Sequence, residues 1–127
     1  MGAQGGAVVM SPFPPAAYIR VQLQMRRTED GGRHRPIHSG YRPNCWIGRT
    51  TATGEREYSD AVVLLESADV LCPGEVATAR LQPARPEFWE MVDVGSRIEV
   101  CEGHRVIADA EVLDLFPDLE RQDDPEP

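Results

Sequence analysis

His34 and His38 stand four residues apart, and Cys45 follows seven residues later. These are metal-ligand types, and a zinc site needs three or four of them on converging elements. Pro36 lies between the two histidines and breaks any helix that would bring them onto one face. Cys72 and Cys101 have no CxxC spacing or other paired-ligand spacing, so no metal and no cofactor are expected. For nucleophilic catalysis the chain offers no Gly-x-Ser-x-Gly and no cysteine with the flanks of a thiol enzyme. The carboxylates Asp123 and Asp124 sit in a charged terminal stretch where nothing would retune their ionisation. The expectation is a chain with no catalytic residues, not an enzyme.

Arginine carries a different chemistry. All 13 basic residues are arginine and lysine is absent, so neither a Walker A loop nor a Schiff-base lysine can be built. Residues 1–45 hold six arginines against two acids, a net of +4, while the other 82 residues hold seven arginines against 19 acids, a net of −12. The chain as a whole, at −8, repels polyanions, while its early segment could attract them. Arg33, Arg35 and Arg42 cluster there around Gly31, Gly32 and Gly40, with the ring of Tyr41 beside them. Guanidinium forks grip phosphate or carboxylate bidentately, and glycine lets backbone N–H groups approach an anion. The alternative is structural, with these arginines solvated or paired to acids elsewhere on an acidic protein.

The elements that must position this cluster have a period of two. In 18–26, Ile19, Val21, Leu23 and Met25 alternate with polar residues, predicting a half-buried strand. A turn follows at Asp30-Gly31-Gly32. A second strand is predicted over 43–52 with an irregularity at Gly48, and a third over 61–65. Pro73-Gly74 marks a turn before an alternating strand at 75–82. Residues 97–101 and 105–116 form a hairpin across Glu102-Gly103-His104, with Val106, Ala108, Ala110 and Val112 facing inward. No helical period of ten or more residues is present. The expected fold is all-β, a small antiparallel barrel, with a core that also includes Val63, Leu65, Leu81, Ile98 and Val100. Residues 1–16, rich in Gly, Ala and Pro, and the acidic stretch 117–127 are expected to be disordered flanks. With no apolar run long enough for a membrane, no signal peptide and three unpaired cysteines, a cytoplasmic chain is expected.

The segment Gly31-Gly32-Arg33-His34, then Gly40-Tyr41-Arg42-Pro43, then Arg49-Thr50-Thr51 and Thr53-Gly54, resembles the start of domain III of the bacterial elongation factor Tu family. Leu71-Cys72-Pro73-Gly74-Glu75 is similar to that domain's Met-Pro-Gly-Asp turn. Cys101-Glu102-Gly103-His104-Arg105-Val106-Ile107 is similar to its final hairpin. The resemblance covers about residues 17–116 and implies a six-stranded antiparallel β-barrel. It also implies that Arg33, Arg42, Asn44, Thr53, Glu102 and Gly103 occupy positions that face the tRNA backbone in that family. The family has Gln where Asn44 stands, Gly48 is an insertion, His104 replaces a glycine, and 83–89 departs from the family pattern.

On this reading the chain is a stand-alone, non-catalytic binding module that engages a translation-linked protein as decoy, adaptor or immunity-type protein. The alternative is direct binding of tRNA or other RNA backbone through the Arg33/Arg35/Arg42 loop. Charge orders the two, because phosphate contacts reward a basic surface. The absence of lysine predicts that the protein does not bind GTP. Titration calorimetry at micromolar protein is expected to give no saturable heat with GTP, and a measurable one contradicts the reading.

Overall fold

The computed structural model describes residues 18–116, and the flanks expected at 1–16 and 117–127 lie outside them. The described residues form strands and two short 3-10 turns, with no α-helix. No helix among them is long and apolar enough to cross a membrane.

Strand β1 (Tyr18–Met25) follows its alternation closely: Ile19, Val21, Leu23 and Met25 are buried. It pairs antiparallel with β6 (Val76–Pro83) on one side and with β8 (Arg105–Phe116) on the other. This double pairing closes the barrel. The remaining staves are β4 (Ser59–Leu65), β3 (Asn44–Trp46) and β7 (Arg97–Glu102), giving the order β1-β6-β4-β3-β7-β8. The all-β fold with a closed six-stranded antiparallel barrel is therefore as expected. Closure removes the unpaired edges that an open sheet would present.

Two further strands, β2 (Ile37–His38) and β5 (Val70–Leu71), form a separate two-stranded sheet. Their buried members, Ile37 and Leu71, join the core. The core also takes in Trp89, whose indole N–H donates to Ser59 Oγ at 2.9 Å. Ser59 is the one buried polar residue among those described, and this bond satisfies both groups.

Two expectations need correction. The second strand is Asn44–Trp46, shorter than 43–52. Gly48 then turns the chain with φ 101°, and Arg49 to Glu57 return as a loop tied by Thr51 N–H to Glu55 O and Glu57 N–H to Arg49 O. The inward set of β8 also differs. The pairing slips between Val100 and Cys101, so that Val100 faces Ala108 and Cys101 faces Val106. Ile107 is the extra residue of this bulge. Both Ile107 and Ala108 become buried, while Val106 is only half-buried, as is Leu65. A bulge resets the alternation on both sides of itself, and simple period-two counting cannot see it.

Leu23 is fully buried whereas Val94 is 61% exposed. Leu23→Ala is expected to lower the unfolding free energy by about 2–5 kcal/mol, and Val94→Ala to change it by less than about 0.5 kcal/mol. Urea unfolding checks both.

Candidate functional site

The Gly/Arg segment leaves β1 and is held tightly before it reaches Arg33. The Arg26 N–H donates to Ile107 O, and the Gly32 N–H donates to Arg27 O. A Cβ at Gly32 would lie 2.2 Å from Arg26 O, so only glycine permits this close approach. Thr28 Oγ1 donates to Arg33 O at 2.6 Å. Beyond β2, Gly40 N–H donates to Val63 O and Val63 N–H to Tyr41 O. The segment is thus tied to β4 and β8 by its main chain, and its side chains are placed by that.

Glu102, at the end of β7, is where they converge. Its Oε2 accepts from Arg33 Nη1 and, at 2.5 Å, from the Tyr41 hydroxyl. Its Oε1 accepts from Arg105 Nη2 at 3.1 Å. The Arg33 guanidinium also lies over the Tyr41 ring, 5.2 Å from its centre, and donates to the carbonyls of Arg35 and Pro36. The side chains of Arg33 and Glu102 are 22% and 30% exposed. Burial alone would raise the Glu102 carboxyl, but the hydrogen bonds from Tyr41 and Arg33 outweigh it and hold the group below the usual carboxylate range. Burial and the bond to Glu102 push the Tyr41 phenol well above its ordinary value.

Of the residues singled out in the sequence, Arg33, Asn44, Glu102 and Gly103 come together. Asn44 Nδ2 donates to Gly103 O at 3.5 Å, joining β3 to the turn between β7 and β8. Arg42 lies between Tyr41 and Asn44 along the chain and is exposed, with no hydrogen-bond or carboxylate partner among the described residues. Thr53 is exposed in the 49–57 loop, where its hydroxyl lies 3.1 Å from that of Thr51, and its bonds do not reach the Glu102 group. Tyr41 and Arg105 complete the group. Arg105 lies in the hairpin segment 101–107 but is not among the residues singled out in the sequence; the Glu102–Arg105 pairing that closes the hairpin brings it within reach.

His34 and His38 are exposed, while Cys45 is buried in the core. Burial drives the Cys45 thiol well above its ordinary pKa, away from the thiolate that metals and electrophiles need. Among the described residues no group of three or more His, Cys, Asp or Glu is placed to hold a metal ion.

No protein-family model matches the chain.

The Glu102 carboxylate is stabilised in its charged form by the fold. Its contribution is present above the unfolded-state glutamate value of about 4.3 and is lost as pH falls through the lower folded value. Glu102→Gln is expected to cost about 1–2 kcal/mol at pH 7, and the gap to the parent should begin to narrow as pH falls below about 4.3. Thermal unfolding from pH 3 to pH 7 checks this.

Proposed function

We propose that this barrel is a non-catalytic protein-binding module of the elongation factor Tu domain III kind, engaging a translation-linked protein at the end marked by Arg42, Asn44 and Gly103. The observation that carries the reading is the engagement of Arg33. A guanidinium that bonds Glu102 and two backbone carbonyls is not available to grip a phosphate without losing those bonds. Arg42 and Arg35 are the cations of this segment without a described carboxylate partner, and both are exposed. Two arginines on a chain of net charge −8 make a poor polyanion surface, but an exposed arginine beside a satisfied polar network suits the rim of a protein interface.

RNA binding is the second reading, and the exposure of Arg35 and Arg42 is what favours it. The two readings differ in salt dependence. Each phosphate contact adds about 0.7–0.9 to the slope of log affinity against log salt.

Arg42→Ala and Arg33→Ala separate the roles. Affinity capture from a ribonuclease-treated lysate is expected to retain a translation-linked protein with the parent. Arg42→Ala is expected to lose it at an unchanged melting temperature. Arg33→Ala is expected to lower the melting temperature. Capture abolished by ribonuclease, with a steep salt slope for purified RNA, overturns the protein reading. Arg42→Ala binding like the parent removes the site.

A further inference from the structure

A second cluster lies on the outside of the barrel, built from different strands. In the sheet register Asp114 of β8 stands opposite Arg20 of β1, Arg20 opposite Arg80 of β6, and Arg80 opposite Leu64 of β4. The four residues form one row across four adjacent strands. Two like charges placed directly opposite each other destabilise a sheet. Glu66, just past β4, offsets this: Arg20 Nε donates to both of its carboxylate oxygens at 2.9 and 3.0 Å, and Arg80 Nε donates to Oε2 at 3.4 Å. Arg20 Nη1 also reaches Asp114 Oδ2 at 3.4 Å.

These bonds leave donors unused. Among the described residues, Arg20 Nη2 and both terminal nitrogens of Arg80 have no acceptor. The Arg80 guanidinium lies over the Tyr18 ring at 4.7 Å, and its side chain is 47% exposed. Arg20, Leu64, Leu65, Glu66 and Arg80 line a groove of ≈ 510 Å³. Leu64 is one of the few large apolar residues exposed to solvent, at 37%. The groove therefore offers oriented guanidinium donors beside an uncovered apolar side chain.

We infer that this groove binds an acidic peptide segment of a protein partner, with a carboxylate on the free edges of Arg20 and Arg80 and a neighbouring apolar side chain on Leu64. Guanidinium pairs take carboxylate or phosphate, and the surroundings choose between them. Glu66 and Asp114 balance the two arginines, so the cluster carries no net charge and gives a doubly charged phosphate no Coulombic advantage to offset its larger desolvation cost. Leu64 adds an apolar contact that inorganic anions and small acids do not use. The groove shares no residue with the Glu102 group, so its failure would leave the reading of that group standing.

The test uses the ¹⁵N-labelled protein and follows the Arg20 and Arg80 Nε–H resonances. The probe is the capped peptide acetyl-Gly-Leu-Glu-Gly-amide, with acetyl-Gly-Leu-Gln-Gly-amide and glutarate as comparisons. The Glu peptide is expected to give saturable shifts at low-millimolar concentration and the Gln peptide none. Arg80→Gln, which leaves Glu66 bonded to Arg20, should weaken binding by at least about tenfold. Leu64→Ala should weaken it by about threefold. Both variants should keep the parent's backbone spectrum. Equal response to the Gln peptide, no saturable shift, or unchanged affinity in Arg80→Gln overturns the proposal. Glutarate binding as tightly as the Glu peptide overturns the assignment to a peptide.

Discussion

One carboxylate ties together the end of the barrel that carries Arg33, Tyr41 and Arg105. Glu102 sits at the end of β7 and accepts from Arg33 and Tyr41 of the Gly/Arg segment and from Arg105 across the hairpin. Removing it would leave Arg33 and the Tyr41 hydroxyl partly buried without their shared acceptor, which costs more than the pair contributes when made. The barrel supplies the rigid frame, because β1 pairs on both sides and leaves no open edge. Glu102 then fixes a glycine-rich segment of low intrinsic order to that frame. The exposure of Arg42 and the engagement of Arg33 both follow from this arrangement.

The same logic runs over the rest of the surface. Nine of the described arginines have a carboxylate within ion-pair distance: Arg20, Arg26, Arg27, Arg33, Arg49, Arg56, Arg80, Arg85 and Arg105. Several also stack on aromatic rings. Arg49 and Arg85 approach Phe88 at 4.4 and 4.2 Å, and Arg56 lies 3.8 Å from the centre of Trp46. Planar guanidiniums can do both at once where an ammonium could not. Exposed pairs of this kind add little stability one by one, but they neutralise the positive charge that a nucleic acid would seek. Under the proposed reading, this pairing of most described arginines with acids weighs against a polyanion partner.

Part of this was legible in the sequence. The β1 alternation, the turns at Gly31-Gly32 and Gly103-His104, and the all-β class follow from period and turn chemistry. The bulge at Ile107 was not legible, since nothing local marks where pairing slips, and the inward placing of Val106 failed for that reason. Pairing of the arginine cluster with acids elsewhere was one of the open readings, and only the fold supplies the partner, bringing Glu102 to Arg33 across 69 residues of sequence. The row Asp114–Arg20–Arg80–Leu64 was invisible for the same reason: it needs the register of four strands at once.

The central claim is that Arg33 and Glu102 act as one structural unit. A double-mutant cycle of Arg33→Ala, Glu102→Ala and the pair, followed by urea unfolding at pH 7, measures it directly. Coupled groups show interaction energies of about 0.5–3 kcal/mol, and a value in that range is expected here, with the double variant no less stable than Glu102→Ala alone by more than about 0.5 kcal/mol. Additive losses, with a coupling of zero, would contradict the account and return Arg33 to the set of arginines free to meet a ligand.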